Sequence, residues 1–261
     1  MLNTQTHGAP GAHPPLLIVP GLFGSARNWG VIARRLAEDR LVIAVDMRNH
    51  GDSKWDDAHG YEDMADDLVR LILAQGGRAD VLGHSMGGKA AMQLALTHGD
   101  RVNRLIVADI APVAYGHSQN HLVDAMQALD LAGVTLRSEA DRRLAVAIPD
   151  DGVRAFLLQS LDLKSSPPRW KLNLEVLRAE MDRIIGWPNT PGRFDGPTLF
   201  VSGARSDYIL PRHHAAIMAQ FPAARFAEIE GAGHWLHAER PREFEAVLQD
   251  FLSPEGASSA P

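Results

Sequence analysis

The sequence contains no cysteine. That absence removes disulfide frameworks, zinc–thiolate sites, iron–sulfur clusters and cysteine nucleophiles. It says little about compartment, since a chain without thiols suits any redox poise. Basic charge is not in excess either: 26 Lys and Arg stand against 32 Asp and Glu, a net charge of -6. A surface of that sign has no general attraction for nucleic acid or an anionic membrane. No apolar run reaches the roughly 18 residues of a membrane span. The opening MLNTQTHGAPGAHPP lacks the basic start and apolar stretch of a signal peptide, so a cytoplasmic location is expected. H-E-x-x-H, paired-carboxylate metal spacing, a G-x-G-x-x-G after a strand and a P-loop are all missing. Neither a metal nor a nucleotide is therefore expected.

What is present is the composition of a globular protein: 261 residues, 45% hydrophobic and 22% charged. That excludes disorder along most of the chain and suits one large domain or two small ones. The closing SPEGASSAP is small and polar and is expected to fray.

Short apolar runs alternate with helix-period segments. Leu16–Val19, Leu41–Val45, Asp80–Leu82, Arg104–Ala108, Thr198–Val201 and Arg225–Ile229 read as strands. Between them Trp29, Ile32, Ala33 and Leu36 recur at helical spacing, as do Tyr61, Met64, Leu68, Leu71 and Ile72, with Asp63, Asp66 and Asp67 expected on the wet side of that second stripe. Met86–Leu96 reads as an Ala-rich helix, and Pro241 opens a last one. Near-continuous apolar strands alternating with helices imply an α/β fold with a mostly parallel sheet covered on both faces. From Ala114 to Thr190 the pattern is helical only, with stripes at Leu122, Met126 and Leu129 and at Leu172, Val176 or Leu177, Met181 and Ile184. Residues 114–190 are expected to form a helical cap inserted in a core of 1–113 and 191–261, since a structureless loop of that length would be unusual. Ordinary crossover helices with long loops are the plainer reading.

Gly83-His84-Ser85-Met86-Gly87 is a G-x-S-x-G following a strand and opening a helix. In that setting the turn strains the serine backbone and presents its hydroxyl, with glycine where neighbouring chain passes close. It leaves the Met86 N–H free at a helix N-terminus for a developing oxyanion. A serine needs a base. Among twelve histidines His234 is best placed, in Gly231-Ala232-Gly233-His234-Trp235 after the last strand; His237 competes. The acid that orients the imidazole is either Asp109, after Arg104–Ala108, or Asp207, after Thr198–Val201. Both follow strands, both also read as turn-formers, and the residues alone do not separate them. Pro20-Gly21-Leu22-Phe23-Gly24-Ser25 is the expected oxyanion loop, with Leu22 as second donor. Asp46–Ser53 reads as a polar loop braced by its own hydrogen bonds, and His213-His214 as solvated.

Taken together, Gly83–Lys89, Asp46–Ser53, Asp109-Ile110-Ala111-Pro112-Val113 and Gly233–Glu239 resemble the α/β-hydrolase superfamily. They resemble its YbfF-like bacterial esterases and their eukaryotic relatives most, over about Leu16 to Leu252. The serine motif is superfamily-wide; the RNHGDS and DIAPV segments and Lys89 are more specific. The resemblance implies an α/β-hydrolase fold and hydrolysis of short- to medium-chain acyl esters without a cofactor. It also implies a serine, Ser206, where most α/β-hydrolases carry the acid, and it favours Asp109 over Asp207. One departure is Pro20, where the family usually has histidine.

The expected chemistry is attack by Ser85, with His234 as base, Asp109 as orienting acid and Leu22 and Met86 N–H groups as oxyanion donors. Phe23, His84, Met126, Leu129, Leu158, Trp170, Met181 and Trp235 are expected to line the substrate pocket; plain helix packing is the alternative for those in the cap. A small-molecule ester is the expected partner. A perhydrolase or C–C bond hydrolase on the same residues, or a low-turnover binding protein, are the rival functions.

Overall fold

A computed structural model of the chain describes residues 1–253; the expected fraying of the tail falls on residues outside that range. The first half runs β1 (Thr4–His7), β2 (Leu16–Val19), a 3-10 turn (Ala26–Trp29), α1 (Gly30–Leu36), β3 (Val42–Val45), α2 (Tyr61–Ala74), β4 (Ala79–His84), α3 (Met86–Thr97) and β5 (Val102–Ala108). Next come α4 (Asn120–Ala128), α5 (Arg137–Leu144), α6 (Asp151–Leu157), β6 (Leu161–Asp162), β7 (Arg169–Trp170), α7 (Leu174–Ala179) and α8 (Met181–Ile185). The chain then continues with β8 (Thr198–Gly203), α9 (Pro211–Gln220), β9 (Ala224–Ile229), α10 (Leu236–Glu239) and α11 (Pro241–Leu252).

Seven strands form one sheet in the order β1-β3-β2-β4-β5-β8-β9, all neighbours parallel except β1 with β3. Strand side chains alternate between two buried layers. Leu17, Val19, Ile43, Val45, Val81 and Val107 pack with α2 and α3; Leu16, Ile18, Val42, Ala44, Leu82 and Ile106 pack with α1 and α11. Being covered on both faces is why these strands are apolar throughout rather than alternating. β2 and β4 are neighbours whose chains leave in opposite directions, β2 toward β3 and β4 toward β5. That is a switch point, where loops part and open a crevice at the strands' carboxyl ends.

Four details differ from the sequence expectation. β1 is an edge strand with no apolar alternation, TQTH, held by backbone pairing to β3. The segment between β5 and β8 is not wholly helical, for β6 and β7 form a small hairpin pairing Leu161 with Trp170 and Asp162 with Arg169. Strands of two residues carry no periodicity to read. Asp67, expected on the wet side of α2, accepts an ion-paired hydrogen bond from Arg48 at 2.6 Å. His213, expected in solvent, is buried edge-on to Tyr115, while His214 is exposed. Among the described residues no helix is long and apolar enough to cross a membrane.

Candidate active site

Ser85 is the hinge between β4 and α3, with φ 53 and ψ -121. A non-glycine residue in that region costs on the order of 1–3 kcal/mol and persists only where its surroundings impose it. Here the imposition is steric and hydrogen-bonded. A Cβ on Gly83 would lie 2.3 Å from the Gly87 carbonyl oxygen, and one on Gly87 would lie 2.2 Å from that of Val19. The Ser85 N–H donates to the Ala108 carbonyl at 3.0 Å, tying the turn to β5. Met86 starts α3, so its N–H has no partner within the helix.

His234, from the loop after β9, faces both ways along one line. Its Nε2 is 3.0 Å from Ser85 Oγ and its Nδ1 is 2.7 Å from Asp109 Oδ2. Asp109 follows β5 with φ 51 and is fully buried. Its carboxylate also accepts from the Gly203 N–H at 3.2 Å and from the Ser206 hydroxyl. Three donors, two from the end of β8 and the loop after it and one from the loop after β9, therefore fix one buried carboxylate, which in turn fixes the imidazole. Asp207 is exposed. Two further rings hold His234: Tyr208 stacks on it at 4.1 Å between centroids, and the His84 Nε2–H donates to the His234 carbonyl at 2.8 Å. Burial holds His84 well below the usual histidine pKa, so it is neutral.

The loop after β2 forms a tight turn in which the Gly24 N–H donates to the Gly21 carbonyl at 3.0 Å. Phe23, third in that turn, has φ 65, a conformation that glycine takes freely and phenylalanine does not. A Cβ on Gly21 would come within 3.0 Å of both His84 and Ser85, which shows how closely the loop passes the nucleophile. The polar segment after β3 braces the start of the following 3-10 turn as well as itself. Asp46 Oδ1 accepts from the Ala26 N–H at 2.8 Å, and Oδ2 accepts from the Asp52 N–H at 2.9 Å and the Asn3 amide at 2.7 Å. The sequence reading saw the internal bracing and missed the reach to the turn, because nothing in the residue pattern says which neighbour a buried carboxylate serves.

A cavity of about 430 Å³ opens over Ser85, in the size range of small-molecule sites. Leu22, Phe23, His84, Met86 and Trp235 are in its wall, and Leu122, Ile148, Val153, Phe156, Leu157 and Ile184 add apolar lining from between β5 and β8. Met126, Leu129, Leu158, Trp170 and Met181 stand outside the wall. They pack into the core beneath the helices, and the Trp170 indole N–H donates to the Met126 carbonyl at 2.9 Å. Helical stripes mark burial, and burial against a neighbour reads the same as burial against a cavity. Lys89, also in the wall, is 1% exposed. Its ammonium donates to the carbonyls of Ile185 (2.8 Å) and Gly186 and lies 4.8 Å from the Tyr115 ring centre. With no carboxylate beside it, burial pulls its pKa down to about 7. Among the described residues no group of three or more His, Asp or Glu has the arrangement to hold a metal ion.

Comparison with known proteins agrees with this architecture. Residues 16–247 match the family described as the alpha/beta hydrolase family. The chain is 40% identical over 257 residues to esterase YbfF of Escherichia coli, covering 97% of this chain and 99% of that one. It is 38% identical over 249 residues to the sn-1-specific diacylglycerol lipase ABHD11 of Mus musculus, covering 92% and 81%. A solved marine microorganism esterase superimposes with a TM-score of 0.91 at 36% identity, covering 96% of this chain and 98% of that one. By sequence and by fold, this chain is an enzyme of the alpha/beta hydrolase family.

Proposed function

We propose that the protein is a serine carboxylesterase that hydrolyses short- to medium-chain acyl esters through an acyl-serine intermediate. One observation carries the reading: Ser85, His234 and Asp109 stand in a relay of 3.0 and 2.7 Å at the floor of a largely apolar cavity. The names of the similar proteins, an esterase and a lipase, favour esters over other bonds cleaved by the same three residues.

His234 takes the Ser85 proton as Oγ attacks the ester carbonyl. Asp109 keeps Nδ1 protonated and stabilises the imidazolium that forms. The carbonyl oxygen gains charge and takes the N–H groups of Met86 and Leu22, which are fixed by α3 and by the Gly21–Gly24 turn before the substrate arrives. The alcohol leaves with the proton from His234. Water then repeats the sequence on the acyl-enzyme. Residues 114–190 act as a cap, supplying walls such as Phe156 and Ile184 that keep water from the acyl chain.

A p-nitrophenyl ester series from acetate to decanoate tests this. Turnover is expected across the short and medium members, with Ser85→Ala losing it. Wild-type rates in Ser85→Ala would refute the mechanism. Acylation without release would favour a binding protein instead.

A further inference from the structure

His50 is fully buried in the polar loop after β3, and it is not part of the cavity wall. Its Nδ1 lies 2.9 Å from the Arg48 carbonyl, which can only accept, so Nδ1 carries the proton. Its Nε2 lies 3.1 Å from the Phe23 N–H, which can only donate, so Nε2 is the acceptor. Two neighbours thus select one neutral tautomer. Burial keeps it neutral, with the pKa lowered to about 4.

The Phe23 N–H belongs to the peptide that follows Leu22. Within the Gly21–Gly24 turn the Gly21 carbonyl accepts from Gly24, which turns the Leu22 N–H of the same planar peptide the opposite way. His50 fixes the next plane. The Phe23 carbonyl accepts from the Ser160 hydroxyl at 3.0 Å, fixing the plane after that. Ser160 and His50 are both joined to the residues that directly follow β7. The Lys171 N–H donates to the Ser160 carbonyl at 2.8 Å, and the His50 backbone bridges to Leu172. Asn173 donates twice to Asn49, from its N–H and from its side-chain amide, both at 3.0 Å.

We infer that His50 is the positioning residue of the oxyanion hole: it holds the Gly21–Gly24 turn so that the Leu22 N–H meets the ester oxygen, and it links that turn to the β6–β7 hairpin of the insert. The inference rests on the esterase reading above. His50 touches no reacting atom; it acts through Phe23.

The test compares His50→Leu with His50→Gln in the full chain, on p-nitrophenyl butyrate and on a trifluoromethyl ketone of matching chain length. The ketone carbon takes the Ser85 oxygen, the Ser85 proton passes to His234, and the charged oxygen stays in the hole with no leaving group. His50→Leu is expected to lower kcat about tenfold to a hundredfold with KM within about twofold, since a hole serves the transition state and not the ground state. Ketone affinity falls by the same factor. His50→Gln, whose amide oxygen can accept from Phe23, recovers most of both. A purely structural role would lower thermal stability without tying kcat to ketone affinity. A folded His50→Leu with wild-type kcat, or with raised KM and intact ketone affinity, overturns the inference. If His50→Leu does not fold, Ser160→Ala decides: a lower kcat at constant KM supports the inference, and an unchanged kcat overturns it. Turnover that depends on Ser85 but not on His50 defeats this inference alone, whereas turnover independent of Ser85 defeats the esterase reading itself.

Discussion

Asp109 and Asp207 leave the carboxyl ends of neighbouring parallel strands, and chain order gives both a path to His234. Burial and backbone distinguish them. Asp109 is fully buried, holds φ 51 and collects three donors, while Asp207 is exposed. Asp109→Asn is expected to lower kcat by about ten-thousandfold, because an amide favours the wrong imidazole tautomer. Asp207→Asn is expected to stay within about twofold, as an exposed carboxylate contributes little to a remote site. Steady-state rates on p-nitrophenyl butyrate check the pair; a collapse in Asp207→Asn would reverse the assignment. The sequence could not separate the two by residue pattern, since an aspartate after a strand also serves as a turn-former. The facts that favour Asp109 are a buried carboxylate and a serine, Ser206, that donates to it. His50 shows the opposite limit. It sits in a segment that reads as a loop, and its role depends on a contact 27 positions away, invisible to any local pattern.

At the scale of elements, the β4–α3 turn is the part the sequence described best. Two glycines flank a strained serine because no side chain fits beside the Gly87 and Val19 carbonyls. Gly87→Ala is therefore expected to give unfolded or inactive protein, since a backbone oxygen at 2.2 Å cannot move aside as a flexible side chain can. Soluble, fully active Gly87→Ala would contradict that account. One turn further along α3, Lys89 ties the core to the end of α8 through the Ile185 and Gly186 carbonyls. Tyr61 adds a hydroxyl bond to the Ile184 carbonyl at 2.6 Å. Ile184 and Ile185 are cavity wall, so Lys89 sets where that wall stands. Lys89→Met strands the Gly186 carbonyl, at a cost of about 1–3 kcal/mol, while the Ile185 carbonyl keeps the Tyr115 N–H at 3.0 Å. It is expected to shift the preferred acyl length, read as KM across the p-nitrophenyl series; a profile superimposing on wild type would show that the wall is held without it.

Across the whole molecule, strand–helix alternation announced the parallel sheet because the central strands are apolar on both faces. The edge strand β1 and the β6–β7 hairpin stayed hidden, being built on backbone pairing with little side-chain signal. The cavity-wall residues between β5 and β8 were equally hidden, because Met126 and Leu122 carry the same helical spacing though only Leu122 meets the cavity. Burial of several histidines has a global consequence. It lowers His50 to about 4, His59 to about 3 and His237 to about 3, and it holds His84 well below its ordinary range. Each folded value lies below the roughly 6.5 of the unfolded chain, so below that pH the unfolded chain binds more protons. The stability these neutral rings allow is complete above about pH 6.5 and is lost as pH falls toward about 3–4, on the order of several kcal/mol in sum. Thermal melts from pH 7 to pH 4 are expected to show a falling Tm. His237→Phe keeps a ring against Trp29, where His237 stacks at 4.1 Å, and is expected to make the fall shallower. An unchanged slope would exclude His237 as a contributor.

The claim on which all of this depends is that Ser85 becomes acylated during turnover. Mass spectrometry of protein quenched in acid while it hydrolyses p-nitrophenyl butyrate, followed by peptide mapping, tests it most directly. The account predicts one butyryl group, carried on the Gly83–Gly87 turn at Ser85 and absent from Ser85→Ala. A butyryl group on another residue, or undiminished turnover by Ser85→Ala, would contradict it.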